Sequence, residues 1–448
     1  MSTLRNQLWG AARGSMFIRV GSLAATLLGS VVLARALGPA SFGIYSLALA
    51  IVTILALPAQ VGIPTLLVRE TARTQAAGKW SEMKGLWRWS TRVILVSSLV
   101  IAAGSSLALF LYPRPIKPDL LWAILAGLVL VPLIALGNAR GAALRGLRHI
   151  VRGQLPESVI RPLVLVLLVY AVWAGGQPVT ADSVMAFHAL AAVLAYAVGG
   201  EILRRSRPRE LASVCADMAG AAGWWRAALP LALISALQVV SSQCGVIVLA
   251  LFRPEAEVGL YKVAASAATI ALFGMQTATM VLSPHLARTH AMGDVERLKK
   301  LTALGALVST ALTLPILVIF LAGGRGLIGM VYGEEYDSAF LPLAVLTVGQ
   351  AVNAMFGCVG ALLGMVGYER DAARWLSVSA LVNIVLAFVL VPVLGMMGAA
   401  ISSVASILVW NLAFWLIAKM RLGIDSSFLP AVPLAFDVLR GWMARRCS

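Results

Sequence analysis

The feature that most constrains this chain is a series of apolar stretches, each roughly 20 residues long, the length a helix needs to cross ~30 Å of hydrocarbon. Only 12% of the 448 residues are charged and 60% are hydrophobic. The predicted spans are 15–36, 43–67, 90–112, 119–138, 158–175, 183–203, 227–252, 258–282, 301–322, 339–365, 375–394 and 398–418. The connections are too short for a folded domain outside the membrane. The sequence therefore predicts an all-α polytopic membrane protein with twelve transmembrane helices, and excludes a soluble enzyme.

The basic residues are distributed unequally between alternate connections. The formal net charge is +17, which in a soluble protein would suggest a nucleic-acid partner. With the N-terminus inside, however, 29 of the 36 lysine and arginine residues fall in inner segments and five in outer ones. Such a bias is typical of the positive-inside rule. The pattern predicts that both termini face the cytoplasm, and it explains most of the charge without nucleic acid.

An internal repeat divides the chain. P-A-S-F-G-I-Y (Pro39–Tyr45) follows the first span, and P-E-A-E-V-G-L-Y (Pro254–Tyr261) follows the seventh. After the second and eighth spans the chain reads A-R-T-Q-A-A-G-K-W-S-E-M-K-G-L (Ala72–Leu86) and A-R-T-H-A-M-G-D-V-E-R-L-K-K-L (Ala287–Leu301), identical at seven of 15 positions with an offset of 215. Two repeats of six spans insert with the same orientation, which favours two lobes with a cavity between them.

This repeat predicts four segments. They are an N-terminal six-span lobe at 1–204, a cytoplasmic linker at 205–226, a C-terminal six-span lobe at 227–419 and a cytoplasmic tail at 420–448. The linker region is rich in arginine at its start, which fits either a plain surface linker or an amphipathic segment lying on anionic lipid.

Polar side chains recur on one face of several predicted spans. At membrane depth such groups are costly and tend to mark a transport pathway. The candidates for a substrate-binding cavity are Arg19, Ser22, Thr26, Gln60, Arg69, Gln238, Ser242, Lys262, Ser266, Thr269 and Asn353. The competing interpretation is that Ser, Thr, Gln and Asn bond packed helices together. Arg19 either faces the cavity or snorkels to the inner interface, and Arg69 either contributes to the site or pairs with Glu70.

The charge of these candidates indicates an anionic ligand, because arginine binds phosphate bidentately and keeps its charge. Apart from Asp119 at the first position of the fourth span, the predicted spans contain no aspartate, and Glu201 is their only glutamate, expected to pair with Arg204 and Arg205. His188 is expected to be a hydrogen-bonded structural histidine. The four cysteines show no metal-ligand spacing, and no G-x-x-x-x-G-K-[ST] loop is present, so we expect no metal, no cofactor and no ATP hydrolysis.

Four motifs resemble a known family. They are R-A-L-G-P-A-S-F-G-I-Y (Arg35–Tyr45), V-G-I-P-T-L-L-V-R-E-T-A-R (Val61–Arg73), V-G-L-Y-K-V-A (Val258–Ala264) and V-Y-G-E-E-Y (Val331–Tyr336). In order and spacing they resemble the Wzx-type polysaccharide flippases of the multidrug/oligosaccharidyl-lipid/polysaccharide (MOP) exporter superfamily. The resemblance covers residues 1–420 and implies a MATE/MOP-like fold with two six-helix lobes.

The resemblance also implies a function. Such a protein is not an enzyme; it flips undecaprenyl-pyrophosphate-linked oligosaccharide across the bacterial cytoplasmic (inner) membrane by alternating access. The product is a lipopolysaccharide O-antigen, a capsule or an exopolysaccharide, and polysaccharide polymerase and chain-length proteins are the implied protein partners. Cationic cavity residues hold the substrate, and Arg19 and Lys262 are the matching positions here. The sequence departs from many relatives at residues 241–245, where an acidic residue is absent.

Two other functions stay open. A drug/cation antiporter of the same superfamily is disfavoured by the scarcity of acidic residues in the predicted spans. A membrane polysaccharide polymerase or ligase is disfavoured by the short outer loops, which leave no room for a catalytic loop.

Overall fold

The structure is a computed structural model that describes residues 2–113 and 117–429, without the side chains of residues 2–15, 234 and 284. Within those residues every regular element is a helix. Most of the predicted tail, residues 430–448 with Cys447, lies outside the described residues.

Seventeen α-helices follow one another along the described chain. They are α1 (Ser2–Gln60), α2 (Ile63–Ala76), α3 (Trp80–Leu111), α4 (Pro118–Leu128), α5 (Leu130–Gly146), α6 (Ile150–Leu155), α7 (Arg161–Ala174), α8 (Ala181–Ser206), α9 (Glu210–Ser213), α10 (Ala221–Phe252), α11 (Glu255–Ala268), α12 (Leu272–Ala291), α13 (Val295–Tyr332), α14 (Phe340–Met355), α15 (Val359–Met365), α16 (Glu369–Leu394) and α17 (Met396–Leu422). A π-helical turn, Pro156–Ile160, joins α6 to α7, and 3-10 turns at Thr269–Ala271 and Glu334–Ala339 precede α12 and α14.

Eleven continuous helical segments in the described residues are long and apolar enough to cross a membrane, against twelve predicted spans. The difference arises in α1, which contains the first predicted span and most of the second. At Gly38 (φ 70°, ψ 170°) the backbone leaves helical geometry, and Pro39 follows. The apolar part, Met16–Gln60, has 45 residues and would measure about 68 Å at 1.5 Å per residue, roughly twice the hydrocarbon thickness. A twelfth crossing that begins at Gly38 stays a prediction, as does the orientation of the termini.

The helices form two compact units, Met1–Gly259 and Leu260–Ser448. The boundary lies within α11 rather than in the Arg-rich linker, because α10 packs against α1 and α2. The two six-span lobes at 1–204 and 227–419 were predicted from the sequence repeat, and this division stays a prediction. In the second unit, Leu286, Val359 and Leu362 are fully buried in a core cluster with Phe414.

The glycines of the shorter repeat pack against each other within the first unit. A Cβ built on Gly43 would overlap the carbonyl oxygen of Glu255, and one built on Gly259 would overlap the carbonyl oxygen of Pro39. Each glycine thus meets the residue four positions before its counterpart. Only glycine allows two helix backbones to approach this closely, so the repeated glycine has a packing role in both copies.

Candidate functional site

The candidates on α1 lie on a partly exposed face of the first unit. Arg19 and Ser22 are half-buried and Thr26 is exposed. The Thr26 hydroxyl donates to the carbonyl oxygen of Ser22 at 2.8 Å, and Ser30 donates to that of Leu27 at 2.9 Å. Serine and threonine often bond to the preceding turn of their own helix in this way. Hydroxyls that are hydrogen-bonded within their own helix can face either a hydrated cavity or lipid. The role of the polar stripe on α1, formed by Arg19, Ser22 and Thr26, in a cavity therefore stays a prediction.

Gln60 and Arg69 make contacts within the first unit. The Gln60 side-chain amide donates to the carbonyl oxygen of Ala56 at 3.1 Å, and its Oε1 accepts from Nδ2 of Asn138 on α5 at 3.0 Å. Gln60 therefore joins two packed helices, which is the competing interpretation of the polar residues in the predicted spans. Arg69 is exposed, and its Nε lies 3.0 Å from Oε1 of the buried Glu70. The pair with Glu70, one of the two alternatives for Arg69, is present, and the role of Arg69 in a substrate site stays a prediction.

The α10 candidates, Gln238 and Ser242, are also exposed in the first unit. Ser242 donates to the carbonyl oxygen of Val239 at 2.8 Å. Among the contacts that the structure describes, neither side chain contacts Gln60. The structure therefore does not bring the α1 and α10 candidates together into one site. Their common role in a cavity stays a prediction.

The remaining candidates belong to the second unit. Lys262, Ser266 and Thr269 are half-buried, and Thr269 donates to the carbonyl oxygen of Ser266 at 2.6 Å. Asn353 is buried and takes part in a chain of amides. Its Nδ2 donates to Oε1 of Gln350 at 3.1 Å, and its Oδ1 accepts from Nδ2 of Asn411 on α17 at 3.0 Å. The amides of Asn353 and Asn411 therefore join α14 to α17 through a neutral network.

A half-buried charged cluster in the first unit is absent from the sequence-based candidates. Nη1 of Arg161 lies 2.9 Å from Oε2 of Glu157, with 23% and 15% of the two side chains exposed. Arg140 on α5 donates from Nη1 to the carbonyl oxygen of Tyr196 at 2.6 Å, and its guanidinium lies 3.3 Å from the centre of the Tyr196 ring. Arg140, Glu157 and Tyr196 line a cavity of about 10 Å³, roughly the space one water molecule needs.

Glu157 lies inside the membrane-length helical segment Ile150–Ala174, next to the predicted span at 158–175. The prediction ended the fourth span at 138 and began the fifth at 158, so this carboxylate fell in the connection between them. The G-x-x-x-G spacing of Gly137 and Gly141 is a signal for close helix packing that could have moved the boundary. A Cβ at Gly137 would overlap the Glu157 carboxylate.

Two expected local interactions are confirmed. His188 is buried, and its Nδ1 is hydrogen-bonded to the hydroxyl of Tyr45 at 2.9 Å. Glu201 pairs with Arg204 and Arg205 at 2.8 and 2.5 Å.

The His188 bond has a counterpart in the second unit, where the hydroxyl of Tyr261 and that of Ser403 share a hydrogen bond of 3.2 Å. Tyr45 and Tyr261 end the two copies of the shorter motif, and His188 and Ser403 are separated by the repeat offset of 215.

Among the described residues, no group of three His, Cys, Asp or Glu side chains is arranged to hold a metal ion. Cys215, Cys244 and Cys358 are free thiols.

Comparison with protein families matches residues 12–290 to the family described as polysaccharide biosynthesis protein. This region is more than half of the 448 residues. The chain belongs to this family. The resemblance to the Wzx-type polysaccharide flippases is confirmed at this level. The matched region contains every candidate residue except Asn353, together with the charged cluster around Glu157.

One curated relative of this family member is the "probable low-salt glycan biosynthesis flippase Agl15" of Haloferax volcanii. The two sequences are 21% identical over 161 residues, which is 36% of this chain and 34% of that protein. The match therefore spans about a third of the relative's length.

Solved structures identify the fold. An inward-facing multidrug resistance MATE family transporter of the MOP superfamily superposes with a TM-score of 0.72 at 16% identity, over 90% of this chain and 94% of that one. The lipid II flippase MurJ, in an inward closed conformation, gives a TM-score of 0.71 at 11% identity, over 90% and 87%. This polysaccharide biosynthesis family member is therefore a multi-pass membrane protein with the MOP-superfamily fold.

Proposed function

We propose that this protein is a flippase for undecaprenyl-pyrophosphate-linked oligosaccharide in the bacterial cytoplasmic membrane, where it supplies O-antigen, capsule or exopolysaccharide synthesis. Two six-helix lobes with both termini in the cytoplasm alternate access to the two leaflets, and the undecaprenyl tail stays in lipid. The observation that carries the proposal is the family match across residues 12–290. A polysaccharide polymerase and chain-length proteins are the proposed partners.

The charges of the first unit support an anionic substrate. Arg19 lies half-buried on the polar stripe of α1. The half-buried carboxylate of Glu157 is matched by the guanidinium of Arg161, with Arg140 lining the same small cavity. A guanidinium excess at membrane depth suits a pyrophosphate, whose oxygens accept bidentate hydrogen bonds. The driving force in this proposal is the membrane potential or a proton or sodium gradient.

The same charges weigh against the drug/cation antiporter. Glu157 is the kind of half-buried carboxylate a cation site needs, but it is already paired with Arg161. A polymerase or ligase is not favoured by any described element, because the longest connection between membrane-length segments, 61–79, is itself largely the helix α2.

The test is reconstitution of the purified protein in liposomes with a fluorescent lipid-pyrophosphate sugar, followed by measurement of its exposure to a membrane-impermeant reagent. We expect wild-type protein to expose the inner-leaflet pool and Arg19→Ala to abolish exposure. Arg19→Lys should retain part of the activity, because it keeps the charge and loses the bidentate geometry. Arg325→Ala, which removes an exposed arginine, is the matched control.

Two results would contradict the proposal. Full activity of Arg19→Ala would assign Arg19 to snorkelling. Drug transport without any movement of the lipid-linked sugar would replace the flippase with the antiporter.

A further inference from the structure

A basic basin lies in the first unit, apart from the candidate residues on α1 and α10. Its volume is about 670 Å³. It is lined by Lys84, Trp87, Arg88, Thr91, Arg92, Arg207, Leu211 and Ala212. One wall is therefore the first part of α3, and the other is the segment from the end of α8 through α9. Both walls belong to segments that the charge distribution assigns to the cytoplasmic side.

The basin concentrates positive charge without internal compensation. Lys84, Arg88 and Arg92 are spaced four residues apart, so they follow one ridge of α3. None of the described lining residues is acidic, and within the described chain neither Arg88 nor Arg207 pairs with a carboxylate. Lys84 donates to a backbone carbonyl, that of Val214, at 2.7 Å. A concave surface with several cations and no carboxylate attracts an anion.

Two of the acidic residues nearby in sequence, Glu82 and Asp217, are engaged, and the exposed Glu210 on α9 does not line the basin. Glu82 accepts from Arg73 and lies 3.9 Å from Lys79. Asp217 accepts from the backbone N–H of Ala219 at 2.8 Å. The positive charge of the basin is therefore available to a ligand from outside the protein.

The two walls are fixed to each other by backbone contacts. The N–H of Asp217 donates to the carbonyl oxygen of Ser81 at 3.0 Å. A Cβ on Gly85 would overlap the carbonyl oxygen of Asp217, so the linker lies directly on α3. Beneath the basin, Leu211 packs in a buried cluster with Met83 and Leu147. A rigid arrangement of this kind lowers the entropic cost of holding a ligand.

Apolar surface adjoins the cations. The ridge of α3 continues from Arg92 to Val96 and Val100, which are 64% and 65% exposed. Trp87 and Thr91 also line a second cavity of about 230 Å³, whose other residues are Leu67, Ser90, Leu136, Ala139, Arg140, Ala143, Tyr196 and Leu203. A ligand with an anionic head and an aliphatic chain can contact both the basic basin and the apolar face of α3, whereas a small soluble anion can contact only the basin.

Trp87 lines the basin, and three further tryptophans pack together on and beside the same stretch of α3. The ring of Trp89 lies 5.5 Å from that of Trp224 and 5.4 Å from that of Trp225. Tryptophan is enriched where the hydrocarbon meets the headgroups, and basic pockets on the cytoplasmic side suit lipid phosphates.

We propose that this basin binds the phosphate headgroup of an anionic membrane phospholipid, whose acyl chains lie along the exposed apolar face of α3. The lipid is a resident ligand, distinct from the transported lipid-linked sugar. The inference depends on membrane insertion and not on the proposed flippase activity.

The test uses the full chain in detergent, with bound phospholipids counted by native mass spectrometry. The probes are palmitoyl-oleoyl phosphatidylglycerol and, as the zwitterionic comparison, the corresponding phosphatidylcholine. Arg88→Ala/Arg92→Ala removes two basin cations. The matched control, Arg297→Ala/Lys300→Ala, removes two exposed cations near the start of α13, in another segment predicted to face the cytoplasm. All four side chains are exposed, so both variants should fold.

We expect phosphatidylglycerol to bind in preference to phosphatidylcholine. Because each cation near an anionic lipid contributes about fivefold in affinity, the basin variant should lose roughly 30-fold and the control little. Arg88→Lys/Arg92→Lys should restore most of the binding. Millimolar inorganic phosphate should not displace the lipid.

Three results would overturn the inference. An equal loss in the control variant would show general surface electrostatics. Displacement by inorganic phosphate would show a site for a soluble anion. Displacement by undecaprenyl pyrophosphate would make the basin an entry site for the transported lipid. None of these outcomes depends on the liposome assay, so failure of the flippase proposal would be recognised separately.

Discussion

The two copies of the repeat keep the same packing and carry different polar chemistry. In the first unit, Tyr45 bonds to His188 and a charged cluster surrounds Glu157. In the second unit, the corresponding tyrosine, Tyr261, bonds to Ser403, and the described buried network is made of the neutral amides of Gln350, Asn353 and Asn411. The comparison teaches that the tyrosine hydrogen bond is common to both units, whereas the ion pair of Glu157 and Arg161 belongs to the first.

The largest effect is expected from breaking the charged network. Glu157→Gln leaves the half-buried Arg161 without its carboxylate. Breaking a fully buried pair costs about 3–5 kcal/mol, so we expect a loss below that range and above the loss for an exposed pair. We expect a clear fall in the unfolding temperature, measured by tryptophan fluorescence on the purified protein. Glu157→Leu/Arg161→Met, which removes both charges, should recover much of the loss. Glu201→Gln, whose two arginine partners are exposed, is the matched control and should leave the unfolding temperature nearly unchanged. Equal effects of Glu157→Gln and Glu201→Gln would contradict the contrast between half-buried and exposed ion pairs.

An intermediate effect is expected where the two units make equivalent bonds. His188→Phe and Ser403→Ala each remove one hydrogen bond of a tyrosine hydroxyl, that of Tyr45 or Tyr261. Hydrogen bonds between membrane helices contribute roughly 0.6 kcal/mol on average and at most about 1.7 kcal/mol. We expect both variants to fall in this range in thermal unfolding, with the larger loss for His188→Phe because Tyr45 and His188 are both buried. A neutral result for both would mean that the shared bond does not stabilise the fold.

The smallest effect on stability is expected at Arg69. Its guanidinium is exposed beside Glu70, and such pairs contribute about 0–1 kcal/mol. Arg69→Ala should therefore unfold at nearly the wild-type temperature. If the variant is stable and also transports normally in liposomes, Arg69 is a surface ion pair only. A loss of transport at unchanged stability would return it to the substrate pathway.

Much of this architecture follows from the sequence, because apolar length and charge asymmetry report directly on a bilayer. The helical fold, the Glu201 pair and the hydrogen-bonded His188 were predicted in this way. The Glu157 cluster was not predicted, because arginines at 140 and 161 look like loop residues when each is counted as a free charge. Their position in packed helices depends on contacts between residues far apart in sequence, such as Arg140 with Tyr196. Similarly, the helix counts differ because the two helices on either side of the kink at Gly38 follow each other without a loop and are counted as one.

The reciprocal contact of Gly43 and Gly259 makes the two positions dependent on each other. Each glycine meets the turn that precedes the other, which is the arrangement of an isologous interface, where one surface is complementary to itself. A side chain at either position would separate the same two helix backbones, so a substitution of one glycine would also remove the close contact of the other.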